Sequence, residues 1–89
     1  MNKTLLTLSL VGTLGASPAF ASDKCEVPEA DWQPIETLQA QLEDQGWEIR
    51  ELKIDDGCYE AYAIDAEGRK VETYFNPATF EVVKSEVED

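Results

Sequence analysis

The sequence contains no histidine, and only two cysteines and one methionine, among its 89 residues. Histidine is the usual general base near neutral pH and the commonest metal ligand in proteins. A nucleophile elbow of the form G-x-S-x-G is also absent. The sequence therefore has neither the histidine base nor the serine motif that nucleophilic catalysis commonly uses. The sequence therefore predicts a protein that is not an enzyme, with no catalytic residues, no metal ligands and no cofactor.

Basic residues are also scarce, because 7 Lys and Arg stand against 19 Asp and Glu and give a net charge of −12. Nucleic acids and anionic membrane surfaces attract proteins through Lys and Arg side chains. We therefore expect no nucleic-acid partner. The excess of carboxylates predicts at most a weak, general attraction for divalent cations.

Residues 1–21 have the pattern of a secretory signal peptide, with Lys3 before an apolar run and Ala19-Phe20-Ala21 as an A-x-A cleavage site. The apolar positions are Leu5, Leu6, Leu8, Leu10, Val11 and Leu14. A membrane anchor is the alternative, but the run falls short of the ~20 residues that span a bilayer. We expect cleavage after Ala21, no membrane span, and a periplasmic or secreted protein.

The two cysteines, Cys25 and Cys58, are predicted to form a structural disulfide. Export places them in an oxidising compartment, and two cysteines allow only one intramolecular bridge. A reactive redox pair is the alternative, but such pairs usually have C-x-x-C spacing at the start of a helix. The bridge would fasten the N-terminal arm to the body of a domain whose small core needs support.

One helix is predicted after the arm. Pro34 suits the first helical position, and Ile35, Leu38 and Leu42 form one apolar stripe at helical spacing. Gly46 suits the residue that ends a helix. The helix therefore presents a single apolar face for packing.

After Gly46 the apolar period changes from about 3.6 to 2, which indicates strands. Turns are predicted at 55–57, 65–68 and 76–79, and a β-bulge or a change of buried face at Arg50-Glu51. In chain order, the expected segments are an arm at 22–33, a domain at 34–84 with strands at 47–54, 58–64, 69–75 and 80–84, and an acidic tail at 85–89. The fold class is α+β, with one N-terminal helix packed on a four-stranded antiparallel β-meander.

Alternation along the strands separates a core from an opposite face of the sheet. The predicted core is Trp32, Ile35, Leu38, Leu42, Trp47, Ile49, Leu52, Tyr59, Ala61, Ala63, Val71, Phe75, Phe80 and Val82. The opposite face is predicted to carry Glu60, Tyr62, Glu72 and Tyr74, all accessible to solvent. Tyrosines at an accessible face suit protein recognition, so these four residues are the candidate protein-binding face. The equally weighted alternative is that the tyrosines only cover the sheet, because a small domain cannot bury both of its faces. The edge strand 80–84 is a second candidate.

The succession of motifs resembles the PepSY domain, in particular its small secreted single-domain branch with two cysteines. The resemblance rests on Gly46-Trp47, the run 56–63, the run 65–69 and the turn 76–79. It departs from the family at the last turn, where Asn76 replaces the common Asp and Phe80 stands where Gly is usual. PepSY domains occur in propeptides of thermolysin-like secreted peptidases, where they are implicated in inhibiting or chaperoning the protease. The family offers no catalytic residues to transfer.

The many carboxylates do not match the spacing of known metal or catalytic sites. The calcium-loop pattern of an EF-hand fails at both Gly57 and Gly68, so Asp55, Asp56, Asp65 and Glu67 are interpreted as turn residues. A glycosidase pair formed by Glu60 and Glu72 would need a sugar-binding cleft, for which so short a chain has little room.

These observations predict a non-catalytic exported binding module that modulates or inhibits a secreted or envelope protease. The alternative function is an acidic cation-binding or envelope-sensing protein.

Overall fold

The computed structural model describes residues 24–88, so the predicted signal peptide and its cleavage site lie outside the described part. Within it, a short 3₁₀ turn at Glu29–Asp31 precedes helix α1 and four strands. Their bounds are α1 Ile35–Asp44, β1 Glu48–Asp55, β2 Cys58–Ile64, β3 Lys70–Phe75 and β4 Val82–Val87. No helix among these residues is long and apolar enough to span a membrane.

The four strands form one antiparallel sheet in the order β1-β2-β3-β4, so each strand pairs with its neighbour in the chain. Helix α1 packs on one face. Pro34 precedes the helix with its φ at −60°, and Gly46 follows it with a φ of 95° that favours glycine. The predicted α+β meander and the end of the helix at Gly46 are confirmed, whereas the helix begins at Ile35, one residue after the position predicted for Pro34.

The core lies between α1 and the sheet. Leu38, Leu42, Tyr59, Ala61 and Phe75 are buried there. The partly buried side chains around them are Trp32, Ile35, Trp47, Ile49, Leu52 and Phe80. Ala63 and Val71 are also buried. All but one of the predicted core residues are thus confirmed as buried or packed against the core.

The exception is Val82, which was predicted in the core and is 59% exposed. Val82 lies on β4 at the edge of the sheet, whereas α1 packs closest to β1 at the other edge. The helix therefore leaves β4 uncovered, and position in the sheet overrides the apolar character of the side chain.

The β-bulge in β1 is confirmed, since Ile49 pairs with Ala63 and Glu51 pairs with Tyr62, leaving Arg50 as the extra residue. This extra residue restores the alternation, because it returns the next apolar side chain, Leu52, to the helix side. A two-residue turn at Asp56 and Gly57 then connects β1 to β2, and both residues have positive φ.

The fourth strand differs from the predicted range 80–84. Phe80 has a φ of 68° and its amide donates to the Asn76 carbonyl at 2.7 Å, so it belongs to the preceding turn. At the other end, the Glu88 amide donates to the Lys70 carbonyl at 2.8 Å. Residues 85–87, expected in an acidic tail, therefore belong to β4, because β3 offers them backbone partners along its whole length.

Candidate functional site

The four candidate residues lie together on the sheet face opposite α1. Glu60 pairs with Tyr74, and Tyr62 pairs with Glu72, across β2 and β3. We call this group the tyrosine–glutamate face. The predicted assignment of these side chains to one face is correct, since neighbouring residues along each strand alternate between this face and the side covered by α1.

The prediction that all four side chains are accessible is wrong for two of them. Glu60 is 2% exposed and Tyr74 is 8% exposed, whereas Tyr62 and Glu72 are half-buried. For Tyr74 the cause is the N-terminal arm, because Cys25 of the arm and Cys58 of β2 pack against its ring on this face. The arm therefore covers one end of the face and leaves the other end open.

The Cys25–Cys58 disulfide is present, with the two Cα atoms 5.1 Å apart. The Cys25 amide also donates to the Asp56 carbonyl at 3.1 Å. Next to the bridge, the Lys24 ammonium lies 3.0 Å from Asp56 Oδ2 and 4.6 Å from the centre of the Tyr74 ring. The disulfide thus holds a cation over an aromatic ring at the covered end of the face.

Hydrogen bonds connect the members of the face. The hydroxyl groups of Tyr62 and Tyr74 both donate to Glu72 Oε2, at 3.0 and 3.1 Å. Tyr74 also approaches Asp55 Oδ2 at 3.4 Å. Because both hydroxyl protons are engaged by carboxylates, the pKa of each tyrosine is raised above its ordinary value, with burial as the largest cause for Tyr74.

Glu60 on β2 and Glu72 on β3 lie diagonally across the strand pair, where their carboxyl groups interact. Burial raises the pKa of Glu60, and the hydrogen bond from Glu60 lowers the pKa of Glu72. Glu60 Oε2 is the one buried side-chain polar atom of residues 24–88 without a hydrogen-bond partner. A protonated Glu60 that donates to an ionised Glu72 satisfies both groups with a single negative charge.

Two lysines complete the electrostatics of the face. Lys53 on β1 lies 3.9 Å from Glu60 Oε1 and 5.4 Å from the centre of the Tyr62 ring. Sequence reasoning missed Lys53 and Lys24, although both could have been found. A two-residue turn at 56–57 places Lys53 opposite Glu60, and a bridge from Cys25 brings Lys24 beside that turn.

Glu60 is only 2% exposed, so a sugar could not reach its carboxyl group at the surface of the sheet, which speaks against a glycosidase pair. Within residues 24–88, no group of three or more Cys, Asp or Glu side chains is placed to hold a metal ion. The turn interpretation of Asp65 is confirmed, since its Oδ1 accepts from the amides of Glu67 and Arg69 at 2.9 and 3.0 Å. The backbone hydrogen bond from Arg69 is the largest cause of the lowered pKa of Asp65.

The fold and the face define a small disulfide-bonded α+β domain with an aromatic and acidic sheet surface. The chain belongs to the PepSY family: the family model described as "Peptidase propeptide and YPEB domain" matches residues 5–86. Comparisons with curated proteins and with solved structures returned no match. PepSY domains are generally non-catalytic propeptide or regulatory modules and are typically extracytoplasmic, and the disulfide fits an oxidising environment.

Proposed function

We propose that this protein is an exported, non-catalytic binding module that inhibits or modulates an extracytoplasmic protease. The observation that carries the proposal is the family match over residues 5–86, because PepSY domains are protease-related binding modules. In this proposal, residues 1–21 direct export and are removed after Ala21. The arm at 22–33 and the domain, which β4 extends to Val87, then act as one unit.

The contact surface in this proposal is the open end of the tyrosine–glutamate face, where Tyr62 and Glu72 remain half-buried. The Tyr62 hydroxyl is held by Glu72 at 3.0 Å and its ring lies beside Lys53. An aromatic side chain already held in one position loses little conformational entropy on binding, which favours affinity. Glu60 and Tyr74 are buried and form the neighbouring cross-strand pair on the same face.

The proposal is tested by chemical crosslinking and capture from the cell-envelope fraction, followed by inhibition assays on any protease that is captured. We expect Tyr62→Ala to weaken binding and inhibition roughly thirtyfold, which is the loss typical of an aromatic interface hot spot. Tyr62→Phe keeps the ring and should retain most of the affinity. Gln41→Ala, on the exposed side of α1, is the matched control and should behave as the unchanged protein.

Two results would contradict the proposal at different levels. If a protease is captured and the Tyr62→Ala variant inhibits it as strongly as the unchanged protein does, the contact surface lies elsewhere. Failure to capture or inhibit any envelope protease would show that the partner class is wrong. Melting curves of each variant separate loss of binding from loss of the fold.

A further inference from the structure

The edge strand β4 is the most exposed part of the sheet. All six of its residues are exposed, and it carries three of the four exposed large apolar side chains of residues 24–88. These three are Val82, Val83 and Val87, with exposures of 59%, 45% and 54%. Because β4 is last in the strand order, its outer side pairs with no other strand among these residues. An edge of this kind is a template for pairing with another strand.

The backbone of β4 shows which residues would form the new hydrogen bonds. The Glu88 amide donates inward to Lys70, and backbone groups of successive residues point to opposite sides of a strand. Glu86 and Lys84 therefore also point inward, towards β3. Ser85 and Val87 direct their amides and carbonyls outward, to the open side of the sheet.

The side chains of β4 complement a second copy of the same strand. In an antiparallel pair related by a two-fold axis at Ser85, Lys84 lies opposite Glu86 of the second copy. Symmetry repeats this contact, so that two opposite-charge pairs flank the axis. Val83, at the bulge opposite Phe75, would face Val87 of the second copy. Cross-strand pairs of opposite charge and of apolar side chains both stabilise a sheet.

Other alignments of the two strands are unfavourable. An axis at Glu86 places Glu86 against its own copy, and an axis at Lys84 places Lys84 against its own copy. An axis at Val87 places Glu86 against Glu88 of the second copy. Like charges directly opposite are destabilising.

An axis at Val82 or Val83 avoids like charges but pairs at most three residues of β4 with the second copy. The alignment at Ser85 therefore combines a long pairing with facing charges of opposite sign. In the single chain, Lys84 and Glu86 already lie 3.3 Å apart, so the dimer would join two such pairs into one ladder of alternating charge.

We propose that the protein forms a dimer through β4. The β4 strands of the two copies pair in antiparallel orientation about a two-fold axis at Ser85, and the two four-stranded sheets become one continuous sheet. The self-complementary charges favour a second copy of this chain over an unrelated peptide. Association covers the apolar side chains that α1 leaves exposed at this edge. The proposal does not depend on the identity of any protease partner, because the pairing uses the outer backbone edge of β4, although Lys84 and Glu86 lie on the same side of the sheet as Tyr74 and Glu72.

Charge-swap variants in sedimentation equilibrium test the proposal on the purified protein at roughly 1 μM to 1 mM, a range that covers weak dimers. The unchanged protein should form dimers as its concentration rises. Lys84→Glu and Glu86→Lys each place like charges opposite at two sites and should weaken the dimer about ten- to thirtyfold. An equimolar mixture of the two variants should form heterodimers, because every facing pair is then of opposite charge.

Each outcome of this experiment is informative. A monomer at every concentration overturns the proposal, and so does a dimer that responds to neither charge swap. Heterodimer formation in the mixture supports it, and also shows that both variants remain folded. Glu51→Lys, the same kind of charge change on exposed β1 at the opposite edge of the sheet, is the matched control and should leave the dimer unchanged.

A cysteine crosslink tests the alignment directly. Pairing about Ser85 places its two Cα atoms about 5.5 Å apart, which is within the range for a disulfide. The Glu88 positions would then lie roughly 20 Å apart, because each is three residues from the axis. Under mild oxidation, Ser85→Cys should therefore give a covalent dimer and Glu88→Cys should not. Equal crosslinking of both variants, or none with either, would overturn the alignment.

Discussion

At the scale of single residues, the Glu60–Glu72 pair is the most unusual feature of the molecule. Two acidic side chains on adjacent strands would repel each other if both were ionised, and Glu60 is almost completely removed from water. The burial that raises the pKa of Glu60, together with the hydrogen bond that lowers the pKa of Glu72, allows the two groups to share one proton. The two tyrosine hydroxyl groups then hold the remaining negative charge.

This pair predicts a pH dependence of stability. Because the pKa of Glu60 is higher in the folded protein than its ordinary value of 4.5, its neutral form stabilises the fold below about that pH. The stabilisation is lost as the pH rises through the raised pKa. Glu60→Gln keeps a neutral, hydrogen-bonding side chain at every pH. We therefore expect the melting temperature of this variant to fall less than that of the unchanged protein when the pH rises from 4.5 towards 8.

The contribution of Glu72 to stability changes with pH in the opposite direction. Its pKa is lowered in the folded protein, so its ionised form contributes stability above the ordinary value of 4.5, and this is lost as the pH falls through the lowered pKa. Glu51→Gln, an exposed change on β1, is the control for the loss of one negative charge. Identical pH profiles for Glu60→Gln and the unchanged protein would contradict the shared proton.

Phe80 stands where the PepSY family usually has Gly, and its surroundings show how the turn tolerates the larger residue. Its φ of 68° lies in the left-handed region, where a side chain costs about 1–2 kcal/mol. The ring is half-buried and lies 6.4 Å from the ring of Tyr59. Packing of the Phe80 ring against the core therefore offsets the backbone strain. A glycine at this position would avoid the strain but could not supply this packing.

At the scale of elements, helix α1 depends on its apolar stripe. The helix has only ten residues, and isolated helices shorter than about 12 residues are marginal in water. Leu38 and Leu42, which are 1% and 3% exposed, anchor it on the sheet. Tertiary packing of one face, and not helix propensity, therefore stabilises this element.

Truncation of the stripe tests this interpretation. Leu38→Ala should lower the free energy of unfolding by about 2–4 kcal/mol, because the deletion leaves a cavity under the helix. Gln41→Ala, which changes an exposed side chain of the same helix, should stay within about 0.5 kcal/mol. Urea denaturation followed by circular dichroism measures both values. Equal losses at the two positions would show that the buried side of the helix is wrongly assigned.

At the scale of the whole molecule, the N-terminal arm is part of the domain. The Trp32 ring packs edge-on against Tyr59 with centres 5.6 Å apart, and the Tyr59 hydroxyl donates to the Gln33 carbonyl at 2.6 Å. The Gln33 amide donates to the Pro77 carbonyl at 2.9 Å. The disulfide fixes the other end of the arm, so the arm contacts both faces of the sheet.

The disulfide should dominate the stability of so small a domain. Replacing both Cys25 and Cys58 with Ala frees a loop of 33 residues in the unfolded chain, which corresponds to about 3–4 kcal/mol in the chain-entropy account. We expect the double variant to melt more than about 10 °C lower. Reductant should lower the melting temperature of the unchanged protein and leave the double variant unaffected. A difference of only a few degrees would mean that packing, and not the bridge, holds the arm.

Much of this architecture follows from local signals that need no tertiary context. Residues that are near in sequence determine the apolar stripe of α1, the end of the helix at Gly46, the irregularity at Arg50 and the turn at 56–57. The pairing of the cysteines follows because the chain has only two of them. Alternation along β2 and β3 also determined that Glu60 and Tyr74 share a face.

Exposure was decided by the tertiary structure. A strand pattern tells which side chains share a face, but coverage depends on what other segments pack there, and that requires three-dimensional placement. Tyr74 is buried because the disulfide brings the arm across it, and Val82 is exposed because α1 packs towards β1. For the same reason the opposite pKa shifts of Glu60 and Glu72 could not be predicted from the sequence, since only the fold decides which of two similar carboxyl groups is removed from water.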